Sequence, residues 1–91
     1  MNSRQSDPAI CRVLAIFDGE TEALVDVIEL KAFDLESFSS QFDVPVETDP
    51  QMLDRYAVGP SDLSFLEKHI AEDVEFDFSK YGYFIDAARR E

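Results

Sequence analysis

Residues 9–17, AICRVLAIF, then Asp18-Gly19, then residues 22–30, EALVDVIEL, decide how this chain folds. The first run is almost continuously apolar and rich in β-branched residues, the pattern of a strand buried on both faces. Asp-Gly is among the strongest short turn signals. The second run is again β-branched, although its Glu, Ala and Leu are also good helix formers. The turn decides for a strand, so residues 9–30 are expected to form a β-hairpin.

Working outward, residues 1–8 end at Pro8 and are expected to be a flexible lead-in to a single domain over 9–91, a length that suits one core. Asp34 is placed to cap a short helix from Leu35 to Phe42, with Leu35, Phe38 and Phe42 on one stripe. Pro45, Pro50 and the acids around them predict a loop over 43–50. Gln51 to Val58 is expected to be a helical turn passing into an extended segment at Tyr56 to Val58. Gly59-Pro60 breaks the chain, and Ser61 is expected to cap a helix over 62–71 with Leu63, Leu66 and Ile70 facing inward. Residues 76–87, FDFSKYGYFIDA, alternate aromatic with polar, which predicts a terminal strand or a hairpin interrupted near Gly82. There is no internal repeat. The expected class is α+β: an antiparallel sheet with an N-terminal β-hairpin, two short helices on one face and a C-terminal strand.

The net charge is −12 on 91 residues. Asp18 to Ser79 holds seventeen acids against Lys31, Arg55 and Lys68, which is −14, while each flank carries +1. The excess lies in the body of the domain and not in a tail. Disorder also needs low hydrophobicity, and 45% apolar residues with eight Phe and three Tyr supply a core. Coulomb repulsion disfavours direct binding to nucleic acid or an anionic membrane and favours a basic protein partner.

Little in the residues points to catalysis. His69 is the only histidine, and a structural role in the last turn of a helix accounts for it. Cys11 is the only cysteine and sits in an apolar strand, where a thiol is usually inert. No nucleophile elbow or glycine-rich phosphate loop is present. Neither 43–54 nor 72–83 matches a calcium-binding loop. The expectation is a protein that is no enzyme and uses no cofactor or metal. The polar N-terminus lacks a signal-peptide core and no apolar run reaches the ~20 residues of a membrane span, so a cytoplasmic location is expected.

The densest acidic stretch is Glu72 to Asp77, EDVEFD, and the loop acids Glu47, Asp49 and Asp54 form a second patch. One reading is a solvated surface that keeps a small protein in solution. The other is a docking face built from Asp49, Asp54, Glu72, Asp73, Glu75 and Asp77, with Tyr81 or Tyr83 as an aromatic anchor. The oligomeric state is open.

The leading RVLAIFDGETEALVDVIEL, the middle DPQMLDRYAV and the closing FDFSKYGYFIDA together resemble a group of small acidic bacterial proteins, over most of residues 11–86. Similar small acidic proteins serve as immunity proteins for secreted toxins, including those of contact-dependent growth inhibition. The resemblance implies a cytoplasmic protein that binds and neutralises the basic toxin domain, often a nuclease, of another cell's effector. It assigns no individual residue. The alternative is an acidic adaptor or regulatory subunit of a cytoplasmic complex.

Overall fold

The strand-turn-strand signal at the start of the chain builds an inner strand of the sheet and the edge strand beside it. In the computed structural model, which describes residues 10–89, β1 is Ile10–Asp18 and β2 is Leu24–Glu29. Helix α1 is Leu35–Gln41, and β3 is the two-residue strand Tyr56–Ala57. A 3-10 turn at Pro60–Asp62 leads into α2, Leu63–Leu66, and a second 3-10 turn follows at Glu67–His69. The last strand, β4, is Tyr81–Arg89. The sheet order is β2-β1-β4-β3 and every pairing is antiparallel. The expected α+β class with its N-terminal hairpin, two short helices and C-terminal strand is therefore the observed one. The lead-in of residues 1–8 lies outside the described residues.

Strand β1 is central, so Arg12 through Ile16 are all buried. The register sets Leu14 between Ile28 and Ile85 and Ile16 beside Tyr83, on the face where Leu35, Phe38 and Leu66 complete the core. Phe38 is fully buried, with ring centroids of Phe33, Phe65 and His69 at 4.6, 4.8 and 4.7 Å. His69 also packs against Phe65, with ring centroids 5.1 Å apart. Its Nδ1 meets the Lys31 carbonyl at 3.0 Å and its own carbonyl accepts the Lys31 amide at 2.9 Å, which ties the end of the helical segment to the chain leaving β2.

Four local expectations change. The hairpin loop is longer than an Asp-Gly turn, and β2 begins at Leu24 and not at Glu22. The Asp18 amide donates to the Ala23 carbonyl, the Glu22 amide to the Asp18 carbonyl, and the Asp18 carboxylate takes the amides of Glu20 and Thr21. The left-handed residue is Glu22, φ 63°, and not Gly19. Gly19 is required for close approach instead. Its amide bonds the Lys80 carbonyl at 2.9 Å, and a Cβ there would sit 2.8 Å from the same oxygen.

Helix α1 stops at Gln41, one residue short of the expected end, and Phe42 forms its C-cap. The expected helix over 62–71 is only four α residues between two 3-10 turns. Capping falls to Asp62 and not to Ser61: the Asp62 carboxylate accepts the Gly59 amide at 2.9 Å and the Gln41 side-chain amide at 2.7 Å. Capture of the His69 carbonyl by Lys31 then ends the helical run, and Ile70 is extended. Finally, β4 starts at Tyr81 and runs unbroken through Gly82. Residues 76–80 lie outside the sheet, because the Asp77 carbonyl takes the amides of Lys80 and Tyr81 and turns the chain.

Candidate functional site

Between the end of the helical segment and β4 the chain returns along the body without joining the sheet. From Val74 to Phe78 its side chains alternate: Val74, Phe76 and Phe78 are partly buried against the core, while Glu75 and Asp77 are exposed. This is the period of an extended strand with only one wet face. Tyr83 holds the segment in place. Its ring packs on Phe76 and Phe78 at 4.8 and 5.1 Å, and its hydroxyl accepts the Asp77 amide at 2.9 Å.

Against this segment the helical stretch presents Leu63 and Glu67 and the chain just after it Ile70 and Ala71, and together they line a groove of about 670 Å³ with Glu72, Asp73, Val74, Glu75 and Phe76. Leu63, Ile70, Val74 and Phe76 supply apolar, half-buried lining. Glu67, Glu72, Asp73 and Glu75 are all exposed, and among the described residues none has an ion pair or a side-chain hydrogen bond. The neighbouring cation, Lys68, lies over the Phe65 ring at 5.7 Å. Four carboxylates around an apolar lining suit a Lys or Arg side chain, whose methylene stem covers apolar surface while its charged head stays wet beside the acids.

The structure separates the eight residues singled out from sequence. Glu72, Asp73 and Glu75 line the groove together. Asp77 is exposed but is engaged in its own turn, accepting the amide and hydroxyl of Ser79, which hold its carboxyl below the usual carboxylate range. Asp54 is exposed on another segment and does not line the groove. Tyr81 is half-buried, with Lys80 over its ring at 5.9 Å. Asp49 and Tyr83 are corrections, since both are in the interior, 8% and 3% exposed, and neither is offered to a partner.

Asp49 has a different task. Its carboxylate accepts the amides of Leu53 and Asp54 at 2.8 and 3.0 Å and the Tyr56 hydroxyl at 2.5 Å. Burial alone would raise its pKa, but these hydrogen bonds and the charge of Arg12 hold it below the usual range. Burial and the neighbouring Asp49 push the Tyr56 hydroxyl up. Arg12, 3% exposed, donates from Nη1 to the Met52 carbonyl at 2.6 Å and lies over the Phe33 ring at 4.5 Å. The set organises the 45–58 loop.

Sequence reasoning missed Glu67, Leu63 and Ile70. A signal existed: Leu63, Glu67 and Ile70 are spaced i, i+4, i+7, which sets an acid within an apolar stripe. Exposed acids also occur elsewhere, among them Glu20, Glu22, Glu36, Asp43 and Glu47. Charge alone therefore does not mark the groove; the pairing of carboxylates with an apolar lining does.

Among the described residues no helix is long and apolar enough to cross a membrane, and no group of three or more His, Cys, Asp or Glu is placed to hold a metal ion. Comparisons with curated proteins and with solved structures gave no match. The match that was found is to a family described as a domain of unknown function, DUF7683, and it covers residues 11–86, from the second residue of β1 into β4. The chain belongs to the DUF7683 family.

Proposed function

We propose that this protein binds a basic protein domain through the groove and neutralises it, acting in the cytoplasm as an immunity protein does toward a toxin. The observation that carries this reading is the set of four exposed carboxylates without protein partners, Glu67, Glu72, Asp73 and Glu75, around an apolar lining. Like charges gathered on one groove repel one another and destabilise the fold. A domain that keeps them gains when a cation arrives. A nuclease must hold a polyanion, so its working surface is rich in Lys and Arg, the groups this groove accommodates. Long-range attraction from a −12 protein raises the association rate toward ~10⁸–10⁹ M⁻¹s⁻¹ at low salt. Speed counts when the target arrives already active.

The test is simultaneous reversal of Glu72, Asp73 and Glu75 to Lys, with affinity for the co-purified partner measured by calorimetry at several salt concentrations. Binding should weaken roughly tenfold to a hundredfold at low salt and its salt dependence should flatten. Thermal stability should hold or rise, because self-repulsion is relieved. Unchanged affinity would move the interface off the groove.

A further inference from the structure

Strand β2 is the outer strand of the sheet, and among the described residues no further strand pairs with its far side. Leu24, Val25 and Val27 are 55%, 52% and 46% exposed, and Ile28 is the one buried residue of the strand. The Leu30 amide donates to the Arg12 carbonyl, so the antiparallel alternation turns the Val27 amide away from β1. There the Asp26 carboxylate accepts it at 2.8 Å. From Gly19 to Leu30 the sequence holds four acids and no Lys or Arg, and Glu22 and Asp26 among them are exposed. Lys31, just past the strand, donates its amide to the His69 carbonyl at 2.9 Å, and the residues that follow His69, Ile70 to Glu72, line the groove. One hydrogen bond thus joins the end of the β2 edge to the start of the groove.

We propose that the β2 edge receives an extended, basic segment of the partner, which pairs along it as a fifth strand of the sheet. This rests on the reading that the partner is basic, and it adds how that partner is held. Asp26 supplies the selection. An incoming strand must present a carbonyl to the Val27 amide, and in doing so it displaces the Asp26 carboxylate. A Lys or Arg on the incoming strand takes up that carboxylate, so the exchange leaves no group unpaired. A neutral or acidic strand leaves the carboxylate without a partner. Beside the amide, Leu24 and Val27 give a β-branched or aromatic side chain an apolar neighbour, since residues opposite one another across a strand pair stand about 5 Å apart.

A second copy does not fit this edge. Its own β2 carries the same acids, and like charges opposite one another across a strand pair destabilise it. The other edge of the sheet does not suit the basic segment. There β3 is only two residues long, Arg55 directly precedes it, and the Ala87 amide is taken by the Asp86 carboxylate at 2.9 Å. Strand β2, with six residues, gives a template of roughly 20 Å. Because it ends where the groove begins, one partner occupies both, its backbone on the edge and its basic side chains in the groove.

The probe is a short peptide alternating Lys and Val, added to the full chain, with amide hydrogen exchange and chemical shifts followed by NMR. At a peptide concentration about ten times its dissociation constant, exchange of the Val27 amide should slow roughly tenfold and the signals of Leu24 to Glu29 should shift. The same peptide with every amide N-methylated keeps its charge and should do neither. Val27→Pro removes the outward donor and spares the bonds to β1, a place where an edge strand accepts proline. Val27→Lys changes only an exposed side chain and sets like charge against the peptide. Each should weaken binding about threefold to tenfold, the range of one net hydrogen bond. Equal binding of the N-methylated peptide, or unchanged affinity of the lysine variant, overturns the proposal. Slowed Val27 exchange in concentrated protein without peptide overturns it too, and assigns the edge to a second copy. Shifts confined to Glu67 and Glu72 to Glu75 overturn the edge and leave the groove reading intact. Shifts at β2 that persist when Glu72, Asp73 and Glu75 are reversed to Lys, with unchanged affinity of that variant for the co-purified partner, keep the edge and retire the groove.

Discussion

Asp49 and Arg12 are the one anion and the one cation buried among the described residues, and each makes the other tolerable. Arg12 spends one hydrogen bond on the Met52 carbonyl and lays its plane on Phe33, while its Nε and Nη2 have no hydrogen-bond partner among the described residues. Burial lowers its pKa and the Asp49 charge opposes that shift. Replacing Asp49 by Asn removes the opposing charge and one of two equivalent acceptors. We predict a loss of about 2–4 kcal/mol at neutral pH, read by urea unfolding. The pH dependence follows from direction. A carboxyl held below its unfolded value of ~3.9 stabilises the fold fully above that value and ceases to as pH falls through the folded value. Asp18, Asp34, Asp49 and Asp77 are all lowered, so their stabilisation should disappear below about pH 4, and Asp49→Asn should make that acid decline shallower. Equal stability of parent and variant at neutral pH would show that the carboxylate does not organise its loop. In the sequence Asp49 is one acid of an Asp-Pro loop and looks fit for a surface. Nothing local tells that three donors of its own loop, Leu53, Asp54 and Tyr56, converge on it.

At the scale of elements, the edges of the sheet separate this domain from one that polymerises. Strand β2 is a six-residue edge strand that exposes Leu24, Val25 and Val27, the kind of edge to which other chains add. Asp26 occupies its outward Val27 amide. Asp26→Val should leave folding intact but produce growing light scattering at concentrations where the parent stays clear; an equally clear solution would show that the carboxylate guards nothing. The elements legible in the sequence were those fixed by hydrophobic period. The nine-residue run of β1, the α1 stripe of Leu35 and Phe38, and the existence of β2 and a last strand all followed from it. Contacts distant in sequence decided the rest. Lys31 ends the second helical segment by taking the His69 carbonyl, and the approach of Gly19 to Lys80 fixes where β4 begins. Propensity within residues 60–71 or 76–81 carries neither fact.

At the scale of the molecule, the acids are spread over many segments, and the feature that stands apart is where they border apolar surface. Three of the eight singled-out residues, Glu72, Asp73 and Glu75, meet in the groove because their stretch pairs acids with Val74 and Phe76. The helical half of the groove was not legible, since it depends on how residues 63–71 dock against 72–76. The most direct measurement uses the carboxylates themselves. Carbodiimide coupling, which joins a carboxylate to a lysine amine with no spacer, is applied to the protein in extract of its own cells, and the joined residues are mapped by mass spectrometry. The account predicts that Glu67, Glu72, Asp73 and Glu75 dominate the cross-links, all to one basic protein. Cross-links distributed over Glu20, Glu36, Asp43 and Glu47 as readily as over the groove, or to many unrelated proteins, would contradict it.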